Sequence, residues 1–319
     1  MDSIVNSNGE KVECLGIFCC GTGENLLTSL VMKTIDLIRL FTLAAIWGGS
    51  FIFLRILAPV LGPFLTTNLR LFIGGLVLCL YFAAKGFDLE WKKNWKHYLI
   101  IGVINSAIPF TLFAYGALYL PASYEVILNS TSPMFGVIFS WIWLKDEMTW
   151  SKIIGLVLAS AGVALVVDLG TTQVNNNAFP AIVACLMAAS CYAIAGIYIK
   201  KFASHIKPLS FAGGCQLFAG LILIPLSLSQ PIPESVSLSI ALNVLGIALL
   251  CSAVAYLLYY QLIADVGPAK ALTVTFLMPV FGMIWGALFL RESITVHMIM
   301  GTVLILAGTW FVVRKVSSR

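Results

Sequence analysis

Thr131-Ser-Pro-Met-Phe-Gly-Val-Ile138 and Leu277-Met-Pro-Val-Phe-Gly-Met-Ile284 open two stretches that align without a gap, residues 131–167 on 277–313. The offset of 146 residues, from Pro133 to Pro279, puts Leu144 on Leu290, Lys145 on Arg291, Asp146 on Glu292, Thr149 on Thr295, Gly155 on Gly301 and Gly162 on Gly308. Of the 37 aligned positions 14 are identical. Apolar composition alone would match some Leu, Ile and Val. It would not align a proline, three glycines and a basic-acidic turn together. The same offset pairs Ser106-Ala107 with Ser252-Ala253, and Leu71, Phe72 and Gly74 with Leu217, Phe218 and Gly220, so the repeat covers most of each half.

Both copies are strongly apolar. Of the 319 residues 60% are hydrophobic and only 10% charged, against about 25% charged in soluble domains. A lipid-facing helix needs roughly 20 mostly apolar residues to cross the hydrocarbon core. Such stretches fall at 38–57, 64–84, 98–118, 122–143, 151–168, 178–199, 208–228, 240–262, 268–290 and 294–313. The predicted fold is therefore an all-α integral membrane protein of ten transmembrane helices. Five spans fall in each copy, residues 36–168 and 178–314. An odd number of spans makes the second copy enter the membrane in the opposite sense, an inverted repeat. In that architecture a substrate sits near the midplane, and rocking of the halves exposes it to each side in turn. Pro109, Pro133 and Pro279 lie inside spans, where a proline marks a bend beside a cavity. Gly155, Ala159 and Gly162, echoed by Gly301, Ala307 and Gly308, read as a small-residue packing face.

Positive charge falls on alternate loops. With a cytoplasmic N-terminus, Lys11, Lys33, Arg39, Lys85, Lys92, Lys93, Lys96, Lys145, Lys152, Lys200, Lys201, Lys207, Lys270, Arg314, Lys315 and Arg319 lie inside, and only Arg55 and Arg291 outside. This bias predicts that both termini are cytoplasmic. It also accounts for the net charge of +5 without nucleic acid as a partner. Tags in the 85–97 and 200–207 loops are expected to be cytoplasmic, and tags in 169–177 and 230–238 external. Labelling of the 85–97 loop by an impermeant reagent added outside would overturn the orientation.

Residues 1–35 form a polar leader that matches no targeting pattern. Met32-Lys33 stands just before the first span, so one reading starts the natural chain there. Cys14, Cys19 and Cys20 lie in the leader; Cys79, Cys185, Cys191, Cys215 and Cys251 are scattered singly through apolar runs, without metal-ligand or disulfide spacing. No Ser/His/Asp set, phosphate loop or GxSxG motif is present. His97, His205 and His297 sit near span ends and share no predicted face. The chain reads as a non-enzyme with no cofactor and no metal.

The first span carries Ala45-Ile-Trp-Gly-Gly-Ser-Phe51, the second Arg70, and the fourth is entered through Leu120-Pro-Ala-Ser123 and continues to Ser132-Pro133. Leu290-Arg-Glu-Ser-Ile-Thr295 precedes the tenth. In this doubled arrangement the chain resembles the drug/metabolite transporter superfamily, and specifically its ten-helix EamA-type family, over residues 38–313. The resemblance implies a secondary carrier with a central cavity between two five-helix halves, commonly an exporter of amino acids, other metabolites or toxic compounds, in a plasma (inner) membrane. Its implied partners are a small-molecule substrate and the lipid bilayer, with a homodimer as an option. The chain departs from the family at Lys145-Asp146-Glu147, where a Gly-Glu pair is usual, and at Glu125, where small or apolar residues are usual. A non-transporting scaffold or receptor is the alternative reading.

Candidate substrate-binding or gating residues are Trp47, Arg70, Tyr115, Glu125, Tyr192 and Tyr256. Trp47 and Tyr192 fall mid-span at nearly equivalent places in the two halves, where they line a cavity or pack the core. Trp143 and Tyr260 fall near span ends and fit an interfacial belt. Asn105, Ser106, Asn129, Ser130, Gln216 and Ser252 face the same cavity or bond between helices. A charge within a span costs roughly 2.5–3.5 kcal/mol on insertion scales and tends to be paired or functional. Arg70 and Glu125 are predicted about 9 and 5 Å deep from the same membrane face. They form an external gate or hold the two ends of a zwitterion, with Glu125 a proton carrier. Alternatively, Arg70 snorkels outward and Glu125 favours the positive end of its helix.

Overall fold

The computed structural model describes residues 4–5, 11–15, 18–20, 33–167, 177–230 and 235–313. The side chains of Cys14, Cys19 and Cys20, the start of the chain around Met32 and most of the 169–177 loop lie outside the described residues. Ten helices form the membrane body: α1 Thr34–Leu61, α2 Pro63–Ala84, α3 Trp91–Tyr119, α4 Ala122–Leu144, α5 Trp150–Val167, α6 Ala178–Phe202, α7 Pro208–Leu228, α8 Leu238–Val266, α9 Val274–Leu290 and α10 Val296–Val313. Nine have the length and hydropathy to cross a membrane, and α9 is a shorter apolar helix. In the leader, β1 (Ile4–Val5), β2 (Lys11–Leu15) and β3 (Phe18–Cys20) pair antiparallel in that order.

The body is apolar outside, and its largely apolar interior encloses a set of polar residues. Val157, Leu288 and Phe289 are more than 60% exposed, whereas Asn68, Arg70, Ser106, Ser123, Glu125, Gln216 and Ser252 are buried. A solvent of hydrocarbon selects this distribution, and it makes the chain a multi-pass membrane protein.

Turn chemistry separates the helices. Gly62 (φ +75°) ends α1 and Pro63 starts α2, while Gly267 (φ +85°) ends α8 before Pro268. The first position of a helix suits proline, and the residue after a helix suits positive φ. Lys145 and Arg291 occupy the left-handed region at equivalent places in the repeat (φ +59° and +56°). Behind them the N–H of Asp146 donates to Ser140 O and that of Glu292 to Gly286 O, the same closure 146 residues apart. The third helix starts at Trp91, earlier than the hydropathy predicts. Polar Trp91–His97 continues the helix out of the apolar layer, held by Asn94 Nδ2 donating to Glu90 Oε2 (3.2 Å) and Tyr98 OH to Leu89 O (2.6 Å).

Of the span prolines, Pro109 and Pro133 sit beside irregular backbone, whereas Pro279 lies within the regular helix α9. In α3 a π segment, Val103–Ala107, precedes Pro109, and Thr111 Oγ1 donates to Ala107 O at 2.7 Å. In α4 regular helix breaks at Ser130-Thr131, where the hydroxyls of Ser130, Thr131 and Ser132 bond Val126 O, Leu128 O and Asn129 O. These bonds satisfy local carbonyls that lipid would leave bare. A π segment in α8, Gly246–Val254, contains Ser252, the repeat partner of Ser106 in the π segment of α3.

Helices α5 and α10, and likewise α2 and α7, are equivalent in the repeat, pack on each other and run antiparallel. A Cβ on Gly155 would lie 2.5 Å from Gly308 O, and one on Gly308 2.5 Å from Gly155 O; Gly162 and Gly301 meet in the same reciprocal way at 2.7 Å. Residue numbers rise along α5 as they fall along α10, so the backbones touch across the small-residue face. Likewise α2 meets α7, with Asn68 Nδ2 donating to Gly220 O (2.6 Å), Gly75 against Leu217, and Phe82 against Gly213. At the end opposite the α1–α2 turn, Arg39 bonds Asp36 (3.1 Å) and Asp265, tying α1 to α8.

Candidate functional site

Four of the six candidate residues converge where α1, α2, α3, α6, α7 and α8 meet. Arg70, on α2, is only 4% exposed. Its Nε donates to Ser252 Oγ at 3.2 Å and its guanidinium lies 3.9 Å from the ring centroid of Phe110. Tyr192, Tyr256 and Cys251 lie close enough to interact electrostatically with Arg70. Tyr192 stacks on Phe113 (6.5 Å, 21°). Trp47 stands edge-on to Tyr256 (5.8 Å) and tilts onto Tyr259 (5.1 Å), and its Nε1 donates to Cys251 O at 3.2 Å. That carbonyl belongs to the π segment of α8, where a widened turn frees backbone groups for partners outside the helix. Trp285 Nε1 donates to Ala45 O (3.0 Å), so indole N–H bonds hold α1 from one side and engage α8 from the other.

Gln216 completes the cluster. It is Arg70's repeat partner, is 1% exposed, and neither Oε1 nor Nε2 has a hydrogen-bond partner. A Cβ on Gly74 would lie 2.7 Å from Ser252 Cβ and 3.2 Å from Gln216 Oε1. Glycine at 74 therefore lets these two polar side chains close on the same patch of α2.

The other two candidates lie elsewhere. Tyr115 packs edge-on against Tyr119 (5.3 Å) and lines a groove of about 400 Å³ with Pro63, Phe64, Thr111, Leu112, Leu118 and Gln230, at the α1–α2 turn end. Glu125 is fully buried between α3, α4 and α6: Cys185 Sγ donates to its Oε1 at 3.8 Å, Gly116 makes room beside it, and Oε2 has no partner. Among the described residues no ion pair joins Arg70 to Glu125. Glu125 does lie in the first turn of α4, while the free N–H groups there go to Glu292, whose carboxylate accepts from Ala122 N (2.7 Å), Ser123 N (3.0 Å) and Ser123 Oγ. His97 and His205, placed on no common face by the sequence, stand ring to ring at 5.5 Å, with His97 Nδ1 3.1 Å from Tyr198 OH. Tyr260 stands edge-on to Tyr259 (5.5 Å) and tilts onto Tyr256 (6.2 Å), whereas Trp143 is half exposed as a belt residue would be. Phe110 and Glu292 were missed as partners. Proline at 109 and the repeat match of Glu292 to Asp146 are the only signals the sequence carried for them.

Fold and site together define a polytopic helical membrane protein with a polar and aromatic centre built from both halves. The EamA-like transporter family matches the chain twice, over residues 35–168 and 179–314, and the chain belongs to that family. It is 27% identical over 288 residues to the uncharacterized transporter YvbV of Bacillus subtilis (strain 168), covering 89% of this chain and 93% of the relative. It is 22% identical to the protein PecM of Dickeya dadantii (strain 3937), with 84% and 89% covered. A solved crystal structure superposes with a TM-score of 0.62 over 88% of this chain and 96% of the other, at 17% identity, a likeness of fold alone.

Proposed function

We propose that the protein is a secondary carrier that exports amino acids or related small metabolites across a plasma membrane, by alternating access of two inverted five-helix halves. The observation that carries this reading is the central cluster. Arg70, Trp47 and Phe110 come from the first half, and Ser252, Gln216, Tyr192 and Tyr256 from the second, so relative motion of the halves would open and close it. Antiparallel packing of α2 on α7 and of α5 on α10 supports a rocking axis between equivalent helices.

Flux of a broad metabolite panel in proteoliposomes tests the reading. No flux for any solute would favour a non-transporting scaffold or receptor. Trp47→Ala and Tyr192→Ala, at normal expression, are expected to cut flux at least about fivefold, the loss of roughly 1 kcal/mol of binding or positioning. Wild-type rates in both variants would remove these aromatics from the path.

A further inference from the structure

We propose that the central cluster recognises the carboxylate of a substrate bearing a single negatively charged group on an apolar or aromatic body, and that nothing in the cluster recognises an amine. The inference rests on the carrier reading and goes beyond it to the chemistry of the solute.

A guanidinium has five N–H donors. Among the described residues Arg70 uses one of them, toward Ser252, and has no carboxylate within ion-pair distance. The ring of Phe110 covers one face of the cation but offers no counter-charge. A buried cation without an anion is costly, and the cost is relieved by a planar oxyanion that takes two parallel N–H bonds. Gln216 adds an amide whose donor and acceptor are both unused, beside the serine that Arg70 already touches. In an apolar setting an amide left wholly unpartnered costs free energy that a ligand would recover.

The same inventory limits the ligand. Among the described residues Arg70 is the one cation placed in the cluster, so a second negative charge on the solute would be buried uncompensated. Trp47, Phe110, Tyr192 and Tyr256 supply aromatic surface for an apolar body. An ammonium would need an acid, and the buried acid Glu125 is committed to the α3–α4–α6 junction beside Cys185. An α-ammonium would therefore find no counter-charge in the cluster, and burying it there weakens binding. This replaces the zwitterion clamp that the sequence suggested for Arg70 and Glu125.

The test uses the full chain in lipid nanodiscs, with binding measured by thermal stabilisation for matched probes: 3-phenylpropanoate, phenylalanine, phenylalaninamide, 2-phenylethylamine and phenyl phosphate. 3-Phenylpropanoate is expected to bind most tightly, phenylalanine more weakly because its ammonium meets no acid, and the amide, the amine and the phosphate about tenfold or more weakly than 3-phenylpropanoate. Arg70→Gln is expected to abolish the preference for acids, Arg70→Lys to retain part of it, and Ser252→Ala to weaken acids while leaving the amide unchanged. Selectivity in the wild-type protein needs no variant, so misfolding of Arg70→Gln would not shelter the proposal. Equal binding of acid and amide, no stabilisation by either carboxylate, or wild-type selectivity in a folded Arg70→Gln each overturn it. Flux of amines or amides but not acids in proteoliposomes would sink this inference and leave the carrier standing. Selective binding of acids with no flux of any solute would sink the carrier reading and leave the site.

Discussion

Gly155→Leu is expected to abolish accumulation of folded protein. A Cβ at this position would lie 2.5 Å from Gly308 O, 2.7 Å from Val312 Cγ2 and 3.0 Å from Val312 N, two of them backbone atoms that no rotamer change can move. The contact is reciprocal at Gly308, so α5 and α10 must separate along their whole shared face to admit a side chain. Overpacking costs typically 1–3 kcal/mol even where side chains can shift, and here the obstacle is main chain. Loss of close backbone approach also removes much of what holds helices together in lipid, where apolar side chains gain nothing by leaving the hydrocarbon. Gly49→Ala is the control, because its nearest neighbour would be Trp285 Cδ1 at an ordinary 3.5 Å. The measurement is monodisperse yield on size exclusion at matched expression. A Gly155→Leu protein that elutes and melts like Gly49→Ala would show that the α5–α10 contact is not as close as described.

The same glycines show how much of the fold could be read from the residues. The 146-residue offset already paired Gly155 with Gly301 and Gly162 with Gly308, and an odd span count made equivalent helices antiparallel. What the offset could not say is that equivalent helices also touch, which turns the pairing into Gly155 on Gly308 and Gly162 on Gly301. Element ends were less legible, because hydropathy marks where lipid begins and not where a helix begins. The polar turn of α3 from Trp91 is held by Asn94 and Tyr98, not by lipid. At the site, unusual residue types were visible and their partners were not. Arg70 stood out as a charge within a span, and Gln216 as a polar residue in an apolar run. The placement of Arg70 on Phe110 and against Ser252 depends on the π segments of α3 and α8, which reset side-chain direction without a mark in composition. Depth counting put Arg70 and Glu125 near one membrane face but carried no information on which side of α3 each would fall.

Glu125→Gln is expected to fold, to lower flux about tenfold, a barrier change of ~1.4 kcal/mol, and to flatten its dependence on pH. The carboxyl is fully buried, one oxygen is met only by the weak S–H donor of Cys185, and the other has no partner. Glu125 lies in the first turn of α4, but the N–H groups of Ala122 and Ser123 go to Glu292. The charges acting on Glu125 are Arg55 and Glu292, of opposite sign. Arg55 spends a hydrogen bond on Ala117 O, and among the described residues no ion pair joins it to the acid. An acid in that position can exchange a proton as the halves move, the role in which intramembrane carboxyls recur. Glutamine fills the same volume and cannot titrate, so it isolates the proton from the packing. Glu125→Asp keeps the proton on a shorter arm and is expected to retain the pH response at a reduced rate. Proteoliposome flux across a pH series, at matched reconstitution, reads both effects. An unchanged rate and pH profile in Glu125→Gln would make the residue a packing element of the α3–α4–α6 junction and take it out of the transport cycle.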